Sequence, residues 1–369
     1  MKKMIFTAAM MLASAAAMAQ SGTFQIKGNV EGLPDSLVAM IGRKTENIDV
    51  KKKKFEFSKN FDKPQWVYLC DQKVIKSGAF SAIPVFAIPS ETIEMKGNFT
   101  GGVDIKGGKF YQEQDLMNEY KGQAYKDIKA LWKWYSDNVN DSNRDSIEKV
   151  VDERMEPLQK KYAADLLAYA KQHSDQECIA LLIDELDDVK DKETLISLMA
   201  DNVKNGRMKA FYEPIVERAK KQAEMEEKAK KVQASGVEAP DFTLNDINGK
   251  PFSLSSLRGK YVVIDFWGSW CIWCIKGMPK MKEYYEKYKG KFEILGVDCN
   301  DTEAKWKAAV EKHQLPWIHV YNPKGSDVLN KYAVQGFPTK IVVGPDGKIV
   351  KTIVGEDPAF YTLLDEVLK

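Results

Sequence analysis

The chain has 369 residues, 44% of them hydrophobic and 29% charged, with a formal net charge of +2. That length exceeds one ordinary domain and predicts two or three, with enough apolar content for packed cores. A balance this close to neutral, with Lys2 and Lys3 in a segment expected to be removed, gives no reason to expect nucleic acid or an anionic membrane surface as a partner.

In chain order, residues 1–19 read as a secretory signal. Lys2 and Lys3 supply the positive start, Ile5 to Met18 form the apolar run, and Ala17-Met18-Ala19 is a small-x-small cleavage site before Gln20. The run is shorter than the ~20 residues a membrane span needs. A cleaved, periplasmic protein is therefore expected, with membrane association if the signal stays attached. No cysteine follows the cleavage site, which argues against a lipid anchor.

Residues 21–108 alternate apolar and polar positions in Phe24–Val30, Lys54–Ser58 and Glu91–Met95, with Gly, Pro and Asn between the runs. This pattern predicts an all-β, sandwich-like domain of antiparallel strands. Residues 109–235 change to a helical period. Leu131, Trp134 and Tyr135 share one face, and Leu166, Leu167 and Tyr169 lie on another helix. Ser174-Asp175-Gln176-Glu177 offers a capping start, and Asp191-Lys192-Glu193 is expected to open a further helix. Val216 to Lys231 is dense in Lys, Glu and Ala and reads as a solvated helix, with a boundary at Gln233-Ala234-Ser235-Gly236. Residues 236–369 interleave helices with β-rich runs at Tyr261–Phe266, Phe292–Val297, Trp317–Val320, Lys340–Val343 and Ile349–Val354, which predicts an α/β domain.

Five cysteines are present, and only Cys271 and Cys274 are close in sequence, so a scaffold stapled by disulfides is not expected. The β run ending at Phe266 leads through Trp267-Gly268-Ser269-Trp270 into Cys271-Ile272-Trp273-Cys274. Spacing of three at a helix start puts both sulfurs on one face, within reach of a disulfide. Cys271 falls where free backbone N–H groups and the helix dipole favour a thiolate, which makes it the attacking thiol. Cys274, one turn deeper, is the resolving thiol. A zinc site would need two more ligands at suitable spacing; no second pair exists, and His173, His313 and His319 do not provide one. No cofactor is expected.

Phe266-Trp267 through Cys274 resembles the thioredoxin active-site signature, and Val334-Gln335-Gly336-Phe337-Pro338-Thr339 resembles the cis-proline loop of that family. Ala239-Pro240-Asp241-Phe242-Thr243-Leu244, Asn248-Gly249-Lys250 and Leu257-Arg258-Gly259-Lys260 are similar to the TlpA/ResA-like branch, which adjoins the AhpC/TSA peroxidases. The resemblance covers residues 236–369 and implies a thioredoxin fold with thiol–disulfide oxidoreductase activity. It implies a cis peptide bond before Pro338 beside the disulfide, where Pro338 would keep metal off the dithiol. The Phe337 backbone would pair with an extended client segment. Asp265 matches the buried acid beneath the resolving cysteine, a group whose raised pKa suits it to accept the Cys274 proton. Trp270 falls on the surface that faces the client.

Two departures from that branch stand out. Gly277 occupies the position, three residues after the second cysteine, where many relatives carry Glu. Ile272-Trp273 between the cysteines lacks both proline and the histidine of strong oxidants, so the reducing direction is expected, toward about −270 mV rather than about −120 mV. The expected partners are client proteins with disulfides or thiols and a membrane electron donor. A thiol peroxidase remains an alternative, although the segment before Cys271 lacks the Pro and Thr of the peroxidase loop. A partner-binding module with a vestigial redox site is the other.

Overall fold

The computed structural model describes residues 21–77, 81–120, 122–140 and 142–369; the signal-like segment lies outside the described residues. The chain divides into two compact units, Met1–Lys220 and Lys221–Lys369. Among the described residues no helix is long and apolar enough to cross a membrane.

The first unit opens with strands β1 (Gly22–Glu31), β2 (Leu37–Ile41), β3 (Lys44–Asn47), β4 (Val50–Lys51), β5 (Lys54–Phe61) and β6 (Gln65–Asp71). Helix α1 (Gln72–Lys76) and strands β7 (Ala82–Ala87), β8 (Thr92–Asn98) and β9 (Gly102–Lys106) follow. They form a five-stranded sheet in the order β4-β5-β1-β8-β9 and a four-stranded sheet in the order β3-β2-β6-β7. Alternate residues such as Phe24, Ile26, Phe55, Phe57, Ile93 and Met95 point into one core, as the period-two pattern requires. The expected antiparallel sandwich is corrected at one seam: β1 and β8 run parallel, with Ile26 opposite Ile93. Alternation marks a strand but carries no information about the direction of its partner. Helix α1, five residues long, is too short to show a helical period; the Asp71 side chain caps it by accepting from Lys73 N.

The helical region comprises α2 (Lys109–Tyr120), α3 (Gln123–Asn138), α4 (Arg144–Gln172), α5 (Val189–Leu198), α6 (Asp201–Lys204) and α7 (Lys209–Val232). Two expected starts differ. Glu177–Asp184 is a 3-10 helix whose cap, Gln176, makes no side-chain capping bond, and its run from Cys178 to Ile183 is buried. The helix expected at Asp191 begins at Val189, where the Asp188 carboxylate accepts from Lys190 N.

The second unit contains β10 (Thr243–Asp246), β11 (Pro251–Ser253), β12 (Tyr261–Trp267), α8 (Ile272–Lys287), β13 (Phe292–Asp298) and α9 (Glu303–His313). It ends with β14 (Ile318–Tyr321), α10 (Val328–Lys331), β15 (Thr339–Val343), β16 (Ile349–Val354) and α11 (Ala359–Val367). One seven-stranded sheet has the order β11-β10-β14-β13-β12-β15-β16. β12 lies parallel to β13 and antiparallel to β15, and this central placement explains its nearly unbroken apolar run. On one sheet face Val263, Trp267 and Val342 pack with Met278 and Met281 of α8 and Phe360 and Leu364 of α11. On the other, Val262, Ile264, Phe266 and Ile341 pack with Leu254, Val328 and Tyr332. This is the thioredoxin-like domain expected at the C-terminus.

Candidate active site

β12 delivers the chain to the sheet's end at Trp267, and α8 starts five residues later, so the turn between them is tight. Gly268 is needed there: a Cβ would meet the Trp270 indole and, at 2.8 Å, the Cys299 carbonyl. Three bonds hold the turn. Cys271 N donates to Gly268 O at 3.0 Å, Ser269 N to Asp301 Oδ2 at 2.8 Å, and Trp270 Nε1 to Cys299 O at 3.0 Å. Sequence reasoning passed over Asp301 and the Cys299 carbonyl, which lie beyond β13 and reach the turn only through the sheet.

Cys271 is the N-cap of α8, with extended backbone, and its Sγ accepts the Cys274 N–H at 3.2 Å. The two sulfurs form a disulfide, with Cα atoms 5.3 Å apart. Both cysteines are nearly buried, so it is the amide at the helix start that distinguishes them: it points at Cys271 alone. Around them lie Trp270, Ile272 and Trp273, each more than half exposed. In the sequence the last two stand out only for lacking proline and histidine; the structure makes them an apolar rim. Trp270 meets Phe337 edge-on at 5.3 Å, and the Phe337–Pro338 bond is cis, with Pro338 buried.

Asp265 is 5% exposed. Period-two alternation places it on the same sheet face as Val263 and Trp267, the face covered by α8. Its Oδ1 has no hydrogen-bond partner. Burial pushes its carboxyl up to about 6; the Lys340 ammonium pulls it down and the Glu356 carboxylate pushes it up. Lys340, opposite Asp265 in the β12–β15 register, donates to Glu356 Oε2 at 2.8 Å. Neither residue was singled out from the sequence. The signal for Lys340 was present, a lysine at the head of an apolar strand; nothing local marked Glu356.

The other cysteines, Cys70, Cys178 and Cys299, are free and buried. Burial pushes the Cys178 thiol up to about 12 and raises Cys299 further, the latter helped by the Asp298 and Asp265 carboxylates. Such thiols are poor nucleophiles. Among the described residues no group of three or more His, Cys, Asp or Glu side chains could hold a metal ion.

The AhpC/TSA family profile matches residues 235–352. The thiol-disulfide oxidoreductase ResA of Bacillus cereus is 42% identical over 122 residues, which are 33% of this chain and 70% of that protein. ResA of Bacillus subtilis is 34% identical over 123 residues, 33% of this chain and 68% of its own. The crystal structure of the thioredoxin domain of a thiol-disulfide oxidoreductase from Bacteroides vulgatus is 37% identical, with a TM-score of 0.35, covering 37% of this chain and 99% of that one. Through its C-terminal domain the chain belongs to the ResA thiol–disulfide oxidoreductases and is a redox enzyme.

Proposed function

We propose that the protein is exported and reduces protein disulfides through a Cys271/Cys274 dithiol recharged by a membrane electron donor. The observation that carries this reading is the Cys271 sulfur at the N-cap of α8, accepting a backbone N–H beside an exposed apolar rim. That position favours the thiolate form of Cys271. The thiolate attacks a client disulfide, one client sulfur leaves, and a mixed disulfide forms. Cys274 then passes its proton to Asp265 and attacks the Cys271 sulfur, which releases the second client thiolate. Trp270, Ile272 and Trp273 give the client an apolar landing surface, and the Phe337 backbone beside Pro338 offers an extended edge for it.

The reducing direction is supported by the Ile272-Trp273 pair, which places no cationic imidazole beside the thiolate. Export is supported by the signal-like residues 1–19. The full mature chain should reduce insulin with dithiothreitol as electron source. Cys271→Ser should abolish this, and Cys274→Ala should accumulate mixed disulfides with clients. A Cys271→Ser protein as active as wild type, or clients trapped only by Cys271→Ala, would overturn the assignment of the two thiols.

A further inference from the structure

Gly277 is buried in α8, one helical turn after Cys274. A Cβ at this position would approach the Glu356 carboxylate to less than 3.0 Å, so the missing side chain is what lets that carboxylate reach α8. Glu356 comes from the turn after β16. Its Oε2 accepts from Lys340 Nζ at 2.8 Å and its Oε1 from the Tyr361 hydroxyl at 3.0 Å. That hydroxyl lies 3.5 Å from the Gly277 carbonyl, which closes the network on the same turn of α8. Lys340 is 1% exposed and stands opposite Asp265 in the sheet register. A buried ammonium needs anionic partners. Lys340 has one in Glu356, while Asp265 keeps an oxygen unpartnered.

We propose that Glu356 is a positioning residue for disulfide exchange: clamped by Lys340 and Tyr361 against Gly277, it keeps the Lys340 ammonium committed and so sets the pH range in which Asp265 takes the Cys274 proton. This rests on the roles given above to Cys271, Cys274 and Asp265. In the step concerned, the Cys274 S–H proton passes to the Asp265 carboxylate and the Cys271–Cys274 bond forms. The bond from Cys271 to the client sulfur breaks, the client leaves as a thiolate, and two electrons have passed to the client. The groups in electrostatic contact with Asp265 are Lys340 on β15, Glu356 after β16, Tyr361 on α11 and Cys299 just past β13, which Asp298 at the end of that strand also acts on. Lys280 and Tyr284 of α8 cover the Tyr361 ring, at 4.2 and 4.8 Å.

The sign of each change follows from these charges. Glu356→Gln frees Lys340 to pair with Asp265, which then titrates at lower pH and accepts a proton less readily. Lys340→Met removes the cation alone and moves the titration to higher pH. The reduced full chain can be mixed with the aromatic disulfide dithiobis(nitrobenzoate), which releases one coloured thiolate when Cys271 attacks and a second when Cys274 resolves. The second phase should lose rate on the acid side. Its limb should shift by about one pH unit, toward acid in Glu356→Gln and toward base in Lys340→Met, a tenfold change at fixed pH on the limb. Gly277→Ala, which displaces the carboxylate without removing it, should shift the limb toward acid, and it decides the matter if Glu356→Gln does not fold. The first phase should stay unchanged in all three. If Asp265→Asn removes the limb but the folded variants leave it in place, Glu356 is structural and this proposal fails. If Asp265→Asn also leaves the limb in place, the role of Asp265 fails, and this proposal with it.

Discussion

A carboxyl group enclosed on a sheet face, with one oxygen lacking a partner, resists ionisation, and Asp265 carries that penalty inside the redox domain. Its folded pKa of about 6 lies above the ordinary 3.8. The folded state therefore holds the proton more tightly, and the associated stability is fully present below pH 3.8 and lost as pH rises through about 6. Asp265→Asn removes this dependence while nearly preserving volume. Denaturant unfolding of the oxidised protein should show wild type and variant level near pH 4. At pH 8 the variant should be the more stable, by at most about 3 kcal/mol. Equal midpoints at pH 8 would mean that the carboxylate is better solvated than its surroundings indicate. Residue by residue, the site was legible where chemistry and local geometry coincide. Cys271 and Cys274 follow from spacing at a helix start, whereas Asp265 is marked only by the resemblance to the thioredoxin signature. Glu356 was hidden because Gly355-Glu356-Asp357-Pro358 reads as an ordinary solvated turn, and only the pairing of β15 with β16 carries it to α8.

Secondary elements in the second unit are fixed in place by a few polar contacts at their ends as well as by the core. α11 is tied to α8 through Asp365, whose carboxylate accepts from the Tyr284 hydroxyl at 3.0 Å, the Tyr288 hydroxyl at 2.5 Å and Lys287 Nζ at 2.6 Å. Lys287 and the two phenols hold this carboxyl down to about 2. With a folded pKa below the ordinary 3.8, its contribution is present above that value and is lost as pH falls toward about 2. Asp365→Asn should lower the thermal midpoint at pH 7 and leave it unchanged near pH 2; an equal loss at both would show that shape, not charge, matters there. The strands flanking the site were legible for a related reason. Buried runs such as Lys340–Val343 stand out against the Gly, Pro and Asp around them. β10 and β11 escaped the run-based reading because they are only four and three residues long and largely exposed. The parallel β1–β8 pairing escaped because no local pattern encodes strand direction.

At the scale of the molecule, two statements about where the chain is cut can be tested. The signal-like residues 1–19 predict that exported material begins at Gln20, or at its cyclised form, in a mass spectrum; an intact Met1 in the membrane fraction would mean an uncleaved anchor. The second cut concerns the redox domain. Its two core clusters draw only on residues from Ala239 onward, and the large core of the first unit ends at Val216, so the hydrophobic cores share no residue. Composition alone puts the boundary at the Ser235-Gly236 step. Yet the last turns of α7 are bonded to the redox domain: Gln222 Nε2 donates to Gln335 Oε1, Lys228 Nζ to Asn330 Oδ1, and Gln233 Nε2 to the Tyr332 carbonyl. Thr352 Oγ1 donates back to the Gln233 carbonyl. Gln335 lies two residues before Phe337 and Thr352 is on β16, so these bonds brace the loop that carries Pro338 and the strand beside it. A fragment of residues 221–369 should therefore fold and reduce insulin like the full chain. One of residues 236–369 keeps the sheet and both cysteines but loses these side-chain bonds, of which a typical one contributes about 1 kcal/mol when shielded and less when exposed. It should unfold at lower denaturant, with amide exchange fastest around Gln335 to Thr339. If the two fragments unfold together and exchange alike, α7 is only a tether and the domain begins at Gly236.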